Sequence, residues 1–496
     1  MADSLSPSPD LPVAVIGAGP VGLAAAAHLS ERGLPFVVLE AGDQAAASVR
    51  AWGHVQLFSP WEFNTDPAAR RLLTAAGWSE PEASGLPTGE ELIKQYLGPL
   101  SEVPALAPHV RYGAKVTAIT RQGIDRMRSA GRERTPFLLR LETGEEVLAR
   151  AVIDASGTFT QPNVLGANGL PAHGEHDARP WVASAMPDVL GSERARYAGQ
   201  HTVVVGAGHS AATTLLALAE LAKGEPGTRI TWAIRASDPA GSFGGGSDDE
   251  LPARGALGSG IKLLVDSGRI ALAPNFRTSA IRPLGADPAS GGVELVSREA
   301  DGNETVIVAD RIVAATGYRP DFGIAAELRL ELDPIMEAVR PLARLIDPNH
   351  HSCGTVTPHG YAELAHPEPG YFAVGMKSYG RAPTFLMLTG YEQVRSIAAA
   401  LAGDMESARS VELRLPETGV CSVVSGGAAL ATRLGLTPER HEQLLHATAK
   451  HLGTSPTAAD AVLAAAAELG VDETAALQLA AFAAEQFDVP SAPNCG

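Results

Sequence analysis

Apolar positions in this chain gather into unbroken runs of four or five residues that stop at glycine. Each run is followed by a longer stretch with helical spacing. Residues 13–22, VAVIGAGPVG, show the form first. The run Val13–Ile16 has no polar alternation, so it predicts a strand covered on both faces. Glycine then recurs as Gly17-x-Gly19-x-x-Gly22, with Ala18 and Pro20 between, and an Ala-rich helical pattern follows over residues 23–31. A second strand pattern ends in VVLE at Glu40.

Strand, glycine turn and helix N-terminus, in that order, predict a cradle for a pyrophosphate. Gly17 permits the turn, Gly19 lets backbone approach phosphate, and Gly22 lets helix and strand pack closely. Glu40 stands eighteen positions past Gly22, where a carboxylate can bind both hydroxyls of an adenosine ribose.

The next stretch, residues 50–64 (RAWGHVQLFSPWEFN), is dense in aromatics and has little periodicity. It reads either as a loop covering the core or as a wall over a bound ring system, with Trp52, Ser59, Trp61 and Asn64 as candidates. Residues 66–110 read as helical and Pro-punctuated, and residues 110–119, which include Val116, as a strand pair element. Residues 137–141 and 146–148 flank Thr143-Gly144 and predict a hairpin. Residues 151–158, AVIDASGT, predict a buried strand ending in small residues, Ser156 and Gly157 among them, that let backbone pass close to a ligand.

The opening pattern then returns. VVVGAGHSA (residues 203–211) is a second apolar strand running into Gly206-x-Gly208-x-x-Ala211, with alanine in the third glycine place, and a helical run to Ala222. Its next strand ends at Arg235, where the first copy has Glu40. An arginine there suits a 2′-phosphate; the plain alternative is a solvated charge at a strand end. His209 and Ser210 could add phosphate contacts. Residues 236–260 are rich in Gly, Ser and Asp and read as a mobile loop, with a helix and strand over 260–272. Residues 293–296 and 305–308 predict another hairpin. RIVAATGYRPD (residues 311–321) mirrors AVIDASGT and carries Thr316, Gly317 and Tyr318. One acid-tagged and one base-tagged copy imply two nucleotides, most economically FAD and NADPH, since a flavin can pass electrons onward.

After residue 321 the chain is expected to return to the first domain. Residues 371–376 (YFAVGM) read as a strand into Gly375-Met376, and residues 385–401 as a helix whose N-terminal end could stabilise negative charge on a reduced flavin ring. From about Pro416 a loop with Gly426-Gly427 leads to three helices whose start signals are Thr437-Pro438, Ser455-Pro456 and Asp472-Glu473. That tail carries no catalytic pattern, and docking, dimerisation and structural filling are all open for it.

Bulk properties narrow the picture. The 496 residues are 45% hydrophobic with a net charge of −17, which argues for a globular protein and against nucleic acid or an anionic membrane as partner. Residues 1–11 read as a polar tail and not a signal peptide, and acidic residues interrupt the apolar stretch 458–487, so a soluble cytoplasmic protein is expected. Three distant cysteines, Cys353, Cys421 and Cys495, form no CxxC pair, and no metal site is read. The expected architecture is α/β. It has two Rossmann-like dinucleotide-binding domains, the second inserted in the first, plus a small C-terminal helical bundle. The boundaries are 12–165 with 330–415 for FAD, 166–329 for NADPH, and 425–490 for the bundle.

With these residues the chain resembles the two-dinucleotide-binding-domain flavoproteins, and within them the class B flavin monooxygenases. The resemblance rests on VIGAGPVG, Glu40, VGAGHSA, Arg235 and ATGYRPD (residues 315–321), and covers about residues 12–402. It implies FAD and NADPH as cofactors. Gly17, Ala18, Gly19, Pro20, Gly22, Glu40, Trp52, Val116, Ser156, Gly157, Gly375 and Met376 would lie toward FAD. Gly206, Gly208, His209, Ser210, Arg235, Thr316, Gly317 and Tyr318 would lie toward NADPH. It departs from that group at the fingerprint F-x-G-x-x-x-H-x-x-x-F/Y, where only Gly169 and His173 fit and Ala167 and Asp177 replace the aromatics. Thioredoxin reductases share the plan, but their CxxC and Gly-Asp motifs are absent. A weaker resemblance, through residues 415–422 (LPETGVCS) and the terminal Asn-Cys-Gly, is to flavoproteins of arsenic-resistance gene clusters; Cys421 and Cys495 read first as incidental loop cysteines.

The resemblance implies a monooxygenase. NADPH reduces FAD, and a C4a-(hydro)peroxyflavin oxygenates a small soft nucleophile (N, S or trivalent arsenic) or a ketone. The expected partners are that substrate and O₂, with homodimerisation open. Asn64 and Arg381 are the candidate catalytic side chains, Arg381 for substrate or NADP⁺ phosphate unless it is a plain surface arginine. Two other readings stand beside this one: an NADPH-dependent reductase passing electrons to a protein or metalloid acceptor, and a redox-sensing binding protein.

Overall fold

The computed structural model describes residues 9–244, 251–287, 291–299, 302–348, 356, 358–383, 385–413, 436, 438–451, 455, 457–472 and 474–480. The chain divides into two compact units, residues 1–421 and 422–496.

The first unit is α/β and holds two five-stranded parallel sheets. In the first, the strand order is Tyr371–Ala373, Ala151–Asp154, Val13–Ile16, Phe36–Leu39, Val110–Arg111. In the second it is Ala271–Ala273, Arg229–Ala233, His201–Val205, Arg311–Ala314, Val182–Ser184. Val13–Ile16 and Ala151–Asp154 are buried along their whole length, as the absence of alternation requires of strands covered on both faces. Each sheet has the same centre: the glycine-terminated strand lies between its own next strand and the strand that ends in small residues. The helices Pro20–Glu31 and His209–Gly224 start at these centres. Each five-stranded sheet is accompanied by a three-stranded antiparallel one, Val116–Arg121 with Phe137–Leu141 and Glu146–Ala149, and Thr278–Pro283 with Val293–Arg298 and Glu304–Ala309. Both expected hairpins are therefore present.

The strand pair expected at residues 110–119 is present as two strands in two different sheets, separated at Gly113, whose φ of +63° breaks the extension. Two other expectations shift. Residues 252–260 of the expected loop 236–260 are helix, the first part of Pro252–Asp266. Its glycines are packing devices, for a Cβ on Gly258 would lie 1.9 Å from the carbonyl oxygen of Phe243. The helix expected at 385–401 runs Met387–Leu401 and is buried on almost every side, with Val21 of the first glycine helix only 2.6 Å from where a Cβ on Gly390 would be.

In the second unit, the helices Pro438–His451 and Ala458–Leu469 and the helical residues 474–480 share a small core of Leu444, Ala465, Ala466, Ala476 and Leu479. The middle helix is capped by Thr457, whose Oγ1 accepts the Asp460 N–H, rather than by Ser455 two residues earlier. The third starts at Asp472, whose carboxylate accepts from Ala475 N. Thr437, Pro456, Glu473, Pro416 and Gly426-Gly427 lie outside the described residues. Among the described residues no helix is long and apolar enough to cross a membrane.

Candidate functional site

The two glycine turns share one geometry. Gly17 has φ of +96° and Gly206 φ of +132°, values that side chains rarely adopt. A Cβ on Gly17 would lie 2.9 Å from the oxygen of Ala155, and one on Gly206 2.0 Å from that of Ala315. Each turn is thus pressed onto the backbone of the neighbouring small-residue strand end. Gly22 performs the third duty, since a Cβ there would sit 2.0 Å from the Gly17 oxygen. The second glycines differ from these: no atom lies within 4 Å of a Cβ built on Gly19 or Gly208. Both are the N-caps of their helices, in extended conformation and without a side-chain capping bond. Two helix N-termini therefore have open space at their N-cap glycines, which is what a phosphate requires.

Glu40 is 8% exposed and lies beside the first turn. One carboxylate oxygen accepts from Ala18 N at 2.6 Å and the other from Gly42 N at 2.8 Å. Arg235, at the matching strand end of the second sheet, is exposed. Its Nη1 donates at 3.4 Å to the carbonyl of Ala167, the position where an aromatic fingerprint residue is missing. His209 is the first residue of its helix, and its ring lies 4.8 Å from that of Phe58 in the 50–64 stretch. Burial, with a contribution from the Arg254 charge, pushes its pKa down to about 4, so it is neutral at pH 7 and adds no positive charge to the cradle.

The two crossings between the sheets are clasped together. Asn163 N donates to Gly317 O and Asn163 Nδ2 to Thr316 O, each at 2.9 Å, while Thr316 Oγ1 donates back to Asn163 O at 2.8 Å. Tyr318 stacks on Phe159 at 5.5 Å. These aromatics follow the two equivalent small-residue turns, so the internal repeat meets itself here.

The carboxyl ends of the first sheet hold a group the sequence reading missed. Lys377 Nζ lies 2.6 Å from Asp154 Oδ2 and 3.0 Å from Ser156 Oγ, Ser156 Oγ donates to Asp154 Oδ1 at 2.6 Å, and Tyr371 OH donates to Asp154 Oδ2 at 2.8 Å. Burial alone would raise the Asp154 pKa, but Lys377, Ser156 and Tyr371 together hold it below the usual carboxylate range. The available signal was an aspartate ending a buried strand, AVID, a place where charge is not left unpaired.

The remaining sequence candidates are placed as follows. Gly375 has φ of +65°, and its N–H is taken by Gln393; Met376 follows half-buried. Gly157 has φ of +70° with open space at its Cβ position. Pro20 begins the first glycine helix, and the Ser210 carbonyl accepts from Thr214 one turn on. Val116 is buried in the antiparallel sheet. Trp52 packs its ring on Gly89. Asn64 is fully buried with its amide engaged within its own loop: Oδ1 accepts from Ser59 Oγ at 2.7 Å, and Nδ2 donates to the carbonyls of Ser59 and Pro60 at 2.6 and 3.0 Å. Arg381 is half-exposed and paired with Glu337 at 3.2 Å, a contact the sequence did not show. No contact joins Asn64 to Arg381. Cys353, Cys421 and Cys495 lie outside the described residues.

Comparison with known proteins agrees with the doubled plan. Over 198 residues the chain is 29% identical to the indole-3-pyruvate monooxygenase YUCCA1 of Oryza sativa subsp. japonica, a match covering 40% of this chain and 42% of the relative's length. The fold resembles the bacillithiol disulfide reductase of Bacillus cereus, with TM-score 0.56 and 18% identity over 79% of this chain and 99% of that one. It also resembles the FAD-bound cadaverine monooxygenase of the desferrioxamine pathway of Erwinia amylovora, with TM-score 0.53 and 15% identity over 82% and 98%. The model of the family described as pyridine nucleotide-disulphide oxidoreductase matches residues 14–338, and the chain belongs to that family.

Proposed function

We propose that this protein is an NADPH-dependent FAD monooxygenase acting on a small soft nucleophile or a ketone. The observation that carries the reading is the pair of open, uncapped glycine cradles on two sheets, one tagged by Glu40 and the other by Arg235. In this reading residues 12–165 and 330–415 hold FAD and residues 166–329 hold NADPH. The donor sets fit: a buried carboxylate beside the Gly17–Gly22 turn suits ribose hydroxyls, and a guanidinium beside the Gly206–Ala211 turn suits a 2′-phosphate. The name of the rice relative supports oxygen transfer, and the cysteines are too far apart in sequence to supply an adjacent dithiol.

Bound flavin supplies the electron transfer and the activation of O₂. The chain's own residues bind and orient. Gly19 and Gly208 leave room for phosphate, and their helix N-termini offer N–H donors. The Phe58–His209 and Phe159–Tyr318 ring pairs span the seam between the two halves. Lys377 and Asp154 fix the ends of two adjacent strands next to Ser156 and Gly375, so the turns carrying those residues are held rigid.

The test is NADPH oxidation with ¹⁸O₂ across amines, sulfides, trivalent arsenicals and ketones. Labelled oxygen in a product supports the proposal. NADPH oxidation whose electrons go wholly to hydrogen peroxide or to an added acceptor overturns it in favour of a reductase.

A further inference from the structure

The first unit holds a cleft of 510 Å³, within the range of small-molecule sites. Gln161, Arg319, Asp321, Phe322, Leu332 and Glu337 are among the residues lining it. Residues 161–164 follow the strand Ala151–Asp154, and residues 319–322 follow Arg311–Ala314. The cleft therefore sits outside the carboxyl ends of both parallel sheets, where open α/β sheets take their ligands.

Its charges have a particular arrangement. Arg319 meets Glu337 as a fork, Nη2 to Oε1 at 2.5 Å and Nε to Oε2 at 3.3 Å. Arg381 brings a second guanidinium to the same Oε1 at 3.2 Å. Two arginines thus converge on one carboxylate. Burial acts to raise the Glu337 pKa, yet the two guanidiniums hold it below the usual carboxylate range.

The backbone presents that carboxylate at a cost. Glu337 has φ of +55°, a left-handed conformation disfavoured for any residue with a Cβ. The turn is held by Asp333, whose Oδ1 accepts from Met336 N at 2.8 Å and whose N–H reaches Ala338 O at 2.8 Å. Gly380 presses against it, with a Cβ position 2.1 Å from Met336 O. The side chains of Arg319, Glu337 and Arg381 are 36%, 31% and 44% exposed. Ion pairs with that much solvent contribute little stability and exchange readily. A strained turn therefore offers an easily displaced carboxylate to two arginines, of which Arg319 lines a ligand-sized cleft and Arg381 reaches the carboxylate from beyond that lining.

We propose that Arg319 and Arg381 form the recognition site for the carboxylate of a small organic acid, and that Glu337 is its internal place-holder. Planar forked guanidiniums are the natural partners of a carboxylate, and Phe322 and Leu332 give its carbon body an apolar wall. The inference rests on the reading that the chain oxygenates a small molecule, and it names an acid as that molecule's class.

The test is calorimetric binding to the full-length FAD-loaded protein, using phenylacetate and its neutral isostere phenylacetamide. E337Q should bind phenylacetate about tenfold tighter, and R319Q and R381Q about tenfold weaker, the size of one charge-assisted hydrogen bond, with phenylacetamide unmoved. E337G, which removes the carboxylate while relieving the backbone, should match E337Q and keeps the test usable if E337Q melts early. Equal phenylacetate affinity in all variants overturns the site. So does competition of phenylacetate by 2′,5′-ADP, which would give the arginines to the nucleotide, or loss of phenethylamine binding in E337Q, which would make Glu337 the recognising group. If the affinities move as stated but no substrate acquires ¹⁸O, the site stands and the oxygenase reading falls. Labelled product with unmoved affinities gives the converse.

Discussion

Lys377 and Asp154 face each other at 2.6 Å with both side chains excluded from solvent, and they tie together the carboxyl ends of two adjacent parallel strands. Removing one member of such a pair leaves an uncompensated buried charge. K377M is expected to lose about 3–5 kcal/mol of stability at pH 8 in chemical denaturation. With the lysine gone, burial pushes the Asp154 carboxyl above its unfolded value. A raised folded pKa gives stability at low pH that is lost as pH rises, so the deficit of K377M should shrink on going from pH 8 to pH 5. A deficit independent of pH would make the lysine's packing, not its charge, the important property.

Gly19 and Gly208 separate cofactor binding from folding. Both have open space at the Cβ position and φ values, −80° and −92°, that alanine accepts. G19A and G208A should therefore melt close to the wild type. G19A should purify with less than about a tenth of the FAD, and G208A should keep its FAD while its KM for NADPH rises about tenfold or more. Gly22 is the contrast, since its Cβ would strike the Gly17 carbonyl at 2.0 Å, and G22A should fail to fold or melt far earlier.

Half-buried His209 and buried His366 make stability fall on mild acidification. Burial is the main force pushing His209 and His366 down to about 4. His366 is held neutral by accepting the Glu331 N–H at Nδ1, 3.2 Å away, an interaction that protonation of that nitrogen would destroy. Because the unfolded chain takes up these protons near pH 6.5 and the folded chain only near 4, stability is lost as pH drops through that window. Each group contributes a slope approaching about 1.4 kcal/mol per pH unit. H366Q, whose amide oxygen can accept the same N–H, should have a visibly shallower slope between pH 6.5 and 5. An unchanged slope would remove His366 from the account.

The glycine turns were legible in the sequence because their demands are local: a positive φ and a backbone approach leave glycine as the residue that fits. The helix Pro252–Asp266 was illegible for the converse reason. Its Gly255, Gly258 and Gly260 read as loop chemistry, whereas Gly258 and Gly260 make room for Phe243 and Leu216, contacts that exist only after folding. Arg235 and Glu40 were found by their spacing from a motif. Lys377 and Glu337 carry no motif, and their partners Asp154 and Arg319 lie 223 and 18 residues away. Asn64 was picked out by its aromatic neighbourhood, and its amide proves to hold the loop that carries those aromatics.

Glu368 offers a test of how the first unit is held together. Fully buried, it accepts from Arg121 Nε at 2.7 Å, from Arg132 Nη2 at 2.7 Å and from the backbone N–H of Arg329 at 3.0 Å. Arg121 also lies over the ring of Phe137 at 3.6 Å. One carboxylate thus joins the antiparallel sheet, the return from the second crossing, and the approach to the strand Tyr371–Ala373. Burial would raise its pKa, but the hydrogen bonds from Arg132, Arg121 and the Arg329 backbone outweigh that and hold it ionised. E368Q leaves two buried guanidiniums facing a neutral amide and should cost about 3–5 kcal/mol at pH 7. The pair of Arg340 with Glu331, also 2.7 Å apart but with side chains 57% and 45% exposed, serves as the control. E331Q should change stability by no more than about 1 kcal/mol, because water already solvates both partners. Chemical denaturation of the two variants decides the matter, and equal losses would show that burial of Glu368 adds nothing beyond an ordinary surface pair.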